Sequence, residues 1–133
     1  MRRVIEARRE EQQELVAHAR RYGERLRARI GPLSMFVVGS VARGDFNMWS
    51  DVDVVVIADG LPAHPLERSR LLYDLVEGGI EPKGYTLAEF GRLLTQGHPL
   101  ASEAMEKGIV LQDELGVGLK SFALSRKPAE RVN

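Results

Sequence analysis

The sequence predicts a small α/β domain, of the type also called α+β, with a mixed sheet of about four strands flanked by helices. Its 133 residues suit a single domain with one contiguous core. Segments with helical spacing of apolar residues alternate along the chain with short runs rich in valine and isoleucine. The strongest run, DVDVVVI at 51–57, is typical of a strand covered by helices on one or both faces.

The first 30 residues predict a long amphipathic helix that packs on the domain. No proline occurs between Ile5 and Arg29. Apolar residues recur there at spacings of three and four, at Leu15, Ala19, Tyr22, Leu26 and Ile30. Gly31 and Pro32 end the helix, because proline cannot continue the backbone hydrogen-bond ladder. The polar first three turns are expected to project from the domain or to contact a partner.

Residues 31–125 predict the rest of the domain, and residues 126–133 predict a flexible tail. Strands are predicted at 34–38, 51–57, 80–86 and 108–111, and helices at 66–77, 87–95, 99–107 and 114–124. Pro82 and Gly84 place the third strand at an edge of the sheet or at a bulge. The T-x-x-E pattern at 86–89 is that of a capping box, which starts the next helix.

The composition excludes several classes of protein. Without cysteine the chain cannot be a disulfide-stabilised scaffold, and no apolar run reaches the roughly 18 residues of a membrane span. The charged first residues do not have the pattern of a signal peptide, so we expect a cytoplasmic protein. With 19 basic and 19 acidic side chains, the formal net charge of zero argues against direct nucleic-acid binding through bulk electrostatics.

The balanced charge is unevenly distributed along the chain. Residues 1–30 hold nine arginines against five glutamates, whereas residues 44–114 hold five basic against thirteen acidic side chains. The basic first helix is therefore a predicted face for a partner. The acidic stretch needs a chemical explanation, because like charges concentrated in a small domain repel each other.

Two of these acids, Asp51 and Asp53, stand at the start of the predicted buried strand. Side chains of a strand alternate between its faces, so both carboxylates share one face, about 6–7 Å apart along the backbone. Two like charges at the start of an apolar strand are unfavourable unless a cation neutralises them. Carboxylate oxygens suit Mg²⁺, which retains several waters and shares its coordination shell with phosphates.

A phosphate-binding turn is predicted upstream of the acidic pair. Gly39 and Ser40 end the first strand and start a short helical turn, where backbone N–H groups bind phosphate oxygens. The Ser40 hydroxyl adds a donor, and the Arg43 guanidinium reaches a phosphate as a charged fork. Each half alone is more often a plain turn or a solvated acidic pair. Together, twelve residues apart from Gly39 to Asp51, they indicate phosphoryl or nucleotidyl transfer.

The combined motif resembles the signature of a known superfamily. It reads G-S-V-A-R-G at 39–44, then five residues, then S-D-V-D at 50–53 and an apolar run. This pattern resembles that of the DNA polymerase β-like nucleotidyltransferases, and the short chain resembles their minimal nucleotidyltransferase branch. The order of elements is similar over residues 30–112. The resemblance implies a polymerase β-like nucleotidyltransferase fold.

The resemblance also assigns roles to single residues. Those implied to bind the nucleoside triphosphate are Gly39, Ser40, Arg43 and Ser50. Asp51 and Asp53 are implied to ligate two Mg²⁺ ions, and a third carboxylate on a later strand would complete the metal site and act as general base. Glu81, at the start of the third predicted strand, is the first choice for that acid, although the family more often has Asp there. Glu77, at the end of the preceding helix, is the alternative.

For function, the minimal branch implies the antitoxin of a type VII toxin-antitoxin pair. Such nucleotidyltransferases work beside a small helical HEPN-domain toxin and transfer AMP from ATP to a hydroxyl, commonly a tyrosine of the toxin. The first hypothesis is therefore an Mg²⁺-dependent enzyme that modifies a protein hydroxyl. The alternatives are a non-catalytic binding module and a small-molecule nucleotidyltransferase in which a homodimer mate completes the acceptor pocket. No membrane partner is expected.

Overall fold

The fold is a four-stranded sheet with helices on both faces. A computed structural model describes residues 2–47 and 49–118. The elements are α1 Arg2–Ile30, β1 Ser34–Val38, α2 Gly39–Arg43, β2 Val52–Ile57, α3 Pro65–Asp74, β3 Ile80–Tyr85, α4 Leu87–Thr95, α5 Pro99–Lys107 and β4 Ile109–Asp113. The strands stand in the order β3-β2-β1-β4. The predicted α/β class is confirmed.

The sheet is mixed, as predicted. β1 lies antiparallel to β2 and β4, whereas β2 lies parallel to β3. A parallel pair requires a crossover connection, which contains α3 here. β3 and β4 form the two edges of the sheet, so the edge position expected for β3 from Pro82 and Gly84 is confirmed.

Two hydrophobic cores lie on opposite faces of the sheet, in place of the one contiguous core expected from the length, because helices cover both faces. The first, beneath α1 and α3, includes Tyr22, Leu26, Val54 and Leu72. The second, beneath α4 and α5, includes Phe36, Val55, Phe90 and Ala104. All eight side chains are at most 3% exposed. We call these sides of the sheet the α1 face and the α5 face.

Helix α1 carries the predicted apolar stripe. Ala19, Tyr22 and Leu26 are fully buried, and Leu15 and Ile30 are half-buried against the same core. None of the described helices, α1 included, is long and apolar enough to cross a membrane.

The polar first turns of α1 run along the segment that follows β1. Residues 3–11 are exposed, yet the Gln12 side-chain amide donates to the Val41 carbonyl at 2.7 Å. The Arg8 guanidinium lies 4.7 Å from the centre of the Phe46 ring. The first turns therefore contact the domain on one side, while their outer surface stays open to solvent.

Helix α3 ends at Asp74, three residues before its predicted end. The Tyr22 hydroxyl donates to the Leu72 carbonyl at 2.6 Å, and Arg25 Nε donates to the Leu75 carbonyl at 3.0 Å. Two side chains of α1 thus satisfy carbonyls near this helix end, where intrahelical donors are missing. These contacts from a distant helix coincide with the early end of α3.

The other boundaries follow the sequence more closely. Helix α4 starts at the predicted capping box, in which Thr86 Oγ1 accepts the Glu89 N–H and the Glu89 carboxylate accepts the Thr86 N–H. Strand β4 extends to Asp113, two residues beyond its predicted end. The closing helix does not start at the predicted residue 114, because residues 114–116 form a turn and the first helical residues are Val117 and Gly118. The rest of that helix and the tail expected at 126–133 lie in residues 119–133, outside the described part of the chain.

Candidate functional site

Strand β2 presents an acid to the α5 face of the sheet. Val52 and Val54 belong to the core of the α1 face, so Asp53 between them points to the α5 face. In the register of the sheet, Asp53 stands opposite Val38 of β1 and Glu81 of β3. The parallel pairing of β2 with β3 thus makes neighbours of two predicted site residues that are 28 positions apart in the sequence.

Asp53 and Glu81 stand side by side in the register of β2 and β3 and line the same pocket. Burial raises the pKa of Asp53 to about 6, and the neighbouring Glu81 carboxyl adds to the rise. The positive charge of Lys83 opposes this shift, and the charge of Asp51 adds to it. Burial and the neighbouring acids therefore disfavour the ionised form of Asp53, and a bound cation would relieve this penalty.

Gly39 brings the backbone directly against this pair. Its φ is 72°, and a Cβ at this position would stand 2.5 Å from Asp53 Oδ2. Any other residue would be strained in conformation and would collide with the carboxylate. Helix α2 begins at Gly39 and ends at Arg43, and the N–H of the following Gly44 donates to the Ser40 carbonyl at 2.8 Å. The predicted turn is thus a single helical turn between two glycines.

A carboxylate from α5 contacts this turn. The Gly39 N–H donates to Glu103 Oε2 at 3.2 Å, and Arg43 Nη1 lies 3.3 Å from Glu103 Oε1. Arg43 Nε also donates to Asp45 Oδ2 at 3.3 Å. Two groups predicted to bind phosphates, one backbone N–H and one guanidinium, therefore both bind Glu103.

These groups surround a pocket of about 240 Å³ between the sheet and α5. Its lining residues are Val38, Gly39, Asp53, Val54, Val55, Glu81, Lys83, Leu100 and Glu103. Sequence reasoning missed Lys83 and Glu103. Lys83 follows Glu81 by two positions on a strand, so the period of two could have indicated it. Glu103 carries no such signal, because only the packing of α5 on the sheet brings it to Gly39.

The predicted residues Asp51 and Ser50 lie before β2. Asp51 is exposed, and its Oδ1 lies 2.8 Å from where a Cβ on Gly79 would stand, at the approach to β3. Ser50 Oγ accepts the Asn47 N–H at 3.0 Å, and the Ser50 N–H donates to the Asn47 carbonyl at 3.0 Å. Ser50 therefore stabilises the turn that precedes Asp51 and Asp53.

The two alternatives for the third acid lie in different places. Glu81 lines the pocket and pairs with Asp53. The Glu77 side chain is 74% exposed, and its Oε2 lies 3.8 Å from Arg25 Nη1 of α1. The geometry places Glu81, and not Glu77, beside Asp53.

The donor atoms fit a hard divalent cation, although they are not arranged as a closed cluster. Within residues 2–47 and 49–118, no three His, Cys, Asp or Glu side chains form a group that could hold a metal ion. The Asp53–Glu81 pair nevertheless offers carboxylate oxygens, the ligands that Mg²⁺ prefers. Mg²⁺ commonly takes one or two protein carboxylates and completes its shell with substrate phosphates and water.

Comparisons with known proteins agree with this fold. The sequence model of the nucleotidyltransferase domain family matches residues 19–111, a range that contains Gly39, Asp53 and Glu81 and well over half of the chain. The structure is similar to that of a candidate nucleotidyltransferase from Sulfolobus solfataricus, with a TM-score of 0.59 over 77% of this chain and 84% of that one. The two sequences are 17% identical, so the likeness concerns the fold alone. No protein of curated function matches the sequence.

Proposed function

The chain belongs to the nucleotidyltransferase domain family, and from this membership we propose that it transfers a nucleoside monophosphate from a nucleoside triphosphate to a hydroxyl group. The observation that supports this activity most is the Asp53–Glu81 carboxyl pair in contact with the Gly39 turn. In this arrangement two acids lie next to the backbone segment to which the sequence motif assigns phosphate binding.

The triphosphate is held, in this proposal, by the turn at the start of α2. Glycine has no side chain of its own at position 39, so a phosphate can approach the backbone there closely. Ser40 and Arg43 supply a hydroxyl and a guanidinium, and Lys83, which lines the pocket, supplies a further positive charge. Ser50 contributes by shaping the turn before β2.

The three acids would hold Mg²⁺, namely Asp51, Asp53 and Glu81. When bound, Mg²⁺ neutralises phosphate charge and polarises the reacting phosphoryl group. Asp53 and Glu81 are paired across adjacent strands, whose register keeps their carboxyl groups together. Asp51 stands just before β2 and is exposed, and its charge contributes to the raised pKa of Asp53.

Glu81 receives the proton of the acceptor hydroxyl in the proposed reaction. The hydroxyl oxygen bonds to the α-phosphorus, and the bond from that phosphorus to the oxygen leading to the β-phosphorus breaks. Pyrophosphate leaves with the electron pair of the broken bond. Glu81 suits this role because it lies in an exposed position of edge strand β3, where an acceptor can reach it.

We propose ATP as the donor and a tyrosine of a cytoplasmic, helical HEPN-domain partner as the acceptor, following the resemblance of the motif. The pocket of about 240 Å³ is smaller than the roughly 300–1,000 Å³ of typical small-molecule sites. This size favours an acceptor that approaches from outside over one enclosed with the nucleotide. The exposed arginines of α1, such as Arg9 and Arg21, offer a basic face to the partner.

A transfer assay with ATP labelled at the α-phosphate tests this function. With Mg²⁺ and a HEPN-domain protein present, we expect label on that protein, and no label when the γ-phosphate carries it instead. If label appears only on added small alcohols, the acceptor is a small molecule and not a protein. A stable complex without any transfer would contradict the enzymatic function.

A pair of matched variants tests the assignment of the third acid. Glu81→Gln should lower the transfer rate by at least about 100-fold, because it removes a proton acceptor and a metal ligand. Glu77→Gln makes the same chemical change four residues earlier and should leave the rate unchanged. Equal effects of the two substitutions would contradict the assignment to Glu81.

A further inference from the structure

Glu103 binds the Gly39 N–H and the Arg43 guanidinium with different oxygens of one carboxylate. Oε2 accepts from Gly39 at 3.2 Å, and Oε1 lies 3.3 Å from Arg43 Nη1. A phosphate group would use two of its oxygens in the same way on the same two donors. Glu103 also lines the pocket that contains Asp53 and Glu81.

We propose that Glu103 is an internal competitor of the nucleotide, whose carboxylate occupies the phosphate-binding donors until the triphosphate displaces it. The proposal rests on the proposed function, because it concerns the donor site of that reaction. It makes Glu103 the residue that limits the affinity of this site for triphosphates.

Glu103 lowers the affinity of the site for a triphosphate through two physical effects. The Gly39 N–H has a single hydrogen, so the contact with Glu103 and a contact with a phosphate oxygen exclude each other. Glu103 also adds a negative charge beside Asp53 and Glu81, which repels a triphosphate in the absence of a cation. Removing the carboxylate frees the donors and lowers the repulsion.

Helix α5 does not depend on this contact for its position. Ala101 and Ala104 are 1% and 2% exposed and pack in the core of the α5 face. The His98 side chain caps the first turn by accepting the Leu100 N–H. The Glu103 side chain is 29% exposed and its Arg43 partner 44%, and partly exposed ion pairs contribute little to stability. Variants at Glu103 should therefore fold.

The test compares nucleotide binding by the wild type with that of Glu103→Gln, Glu103→Ala and Glu106→Gln. The probes are pyrophosphate and an ATP analogue whose α,β-bridging oxygen is replaced by methylene, each with Mg²⁺, titrated by calorimetry. Glu106 is an exposed residue of the same helix, so its substitution makes a matched charge change away from the turn. We expect the dissociation constant to fall about fivefold in Glu103→Gln, at least as much in Glu103→Ala, and not in Glu106→Gln.

A second measurement follows the Gly39 amide by ¹⁵N–¹H NMR. Both Glu103 variants should shift this resonance in the nucleotide-free protein, and saturating analogue should bring wild type and variants to similar positions. If the wild type binds the probes and the Glu103 variants bind them no more tightly, the proposal is wrong. That result would not contradict the transferase function. Tighter binding in the variants without any nucleotidyl transfer would support the proposal and contradict the function. No binding by any of the four proteins would refute both.

Discussion

The two faces of the sheet are built by the same strands but are covered differently. On the α1 face, β2 contributes Val52, Val54 and Val56, all at most 1% exposed beneath α1 and α3. On the α5 face, the same strand contributes Asp53 and then Val55. There α4 and α5 bury the far end of β2 and leave a pocket of about 240 Å³ over its start.

This difference separates stability from chemistry within one strand. Because side chains of a strand alternate, every second residue of β2 lies in the closed core of the α1 face. The other residues lie on the α5 face, which is covered at one end of the strand and open at the other. Substitutions beneath α1 should therefore change the free energy of unfolding, and substitutions around the pocket should change activity. The following predictions test that separation.

The largest change in transfer rate is expected for Asp53→Asn, on the α5 face. Loss of the carboxylate should lower the transfer rate by at least about 1,000-fold, because a metal ligand is removed. The protein should unfold at the same or a higher temperature at pH 7. Burial raises the pKa of Asp53 to about 6, so above that pH the ionised group opposes folding and the neutral amide does not.

Circular dichroism melts and the labelled-ATP assay on the same preparation give both readouts for Asp53→Asn. Retained transfer would contradict the metal assignment, and a large drop in melting temperature would contradict the separation of the two faces.

The opposite pattern is expected for Leu26→Ala beneath α1. Leu26 is fully buried, and its truncation should lower the free energy of unfolding by about 3 kcal/mol. Glu24→Ala, at an exposed position of the same helix, should change it by less than about 0.5 kcal/mol. Urea denaturation measures both values. The transfer rate of Leu26→Ala should match the wild type under conditions where the variant is fully folded, and a lower rate would show that the α1 face also serves the site.

A smaller effect is expected at the capping box of α4. Thr86 Oγ1 accepts the Glu89 N–H at 3.2 Å, and Thr86→Ala should lower the free energy of unfolding by about 1 kcal/mol. Thr95→Ala, at the exposed last turn of the same helix, should have a smaller effect. Similar losses in the two variants would mean that the cap itself contributes little.

The smallest effect concerns pH. A hydrogen bond from the Thr86 backbone N–H, supported by Arg68, holds the pKa of Glu89 below its usual value. The ionised form therefore stabilises the fold above the unfolded pKa, and this contribution disappears as the pH falls through the folded pKa. The melting temperature of Glu89→Gln should thus fall less than that of the wild type on acidification from pH 7. If the melting temperatures of Glu89→Gln and the wild type fall equally with pH, the Glu89 carboxylate does not contribute to stability in this way.

Local patterns predicted most of the fold. The capping box at Thr86, the edge position of β3 and the apolar stripe of α1 all follow from residues close in sequence. The end of α3 was not predicted, and Tyr22 and Arg25 of a distant helix bind the carbonyls of Leu72 and Leu75 there. Helix propensities describe local preferences and do not include such tertiary contacts.

The candidate site shows the same division. Strand geometry predicted Asp51 and Asp53 on one face, but β2 starts at Val52, so Asp51 lies outside the strand. Glu81 was predicted from the resemblance of the motif and lies beside Asp53. Arg43 was expected to be available for phosphate, whereas in the structure it pairs with Glu103 and Asp45. That pairing depends on how α5 packs on the sheet, so a partner 60 positions away could not be inferred from the local sequence.

The parallel pairing of β3 with β2 has a consequence for local opening of the protein. β3 is bonded to the sheet along one side only, and its pairing forces Glu81 against Asp53. Detachment of this strand separates the two carboxylates and relieves their repulsion, so β3 should exchange its backbone hydrogens earlier than β1 or β2. A cation that binds the pair would reverse that preference and make this edge of the sheet as slow to exchange as the strands beside it.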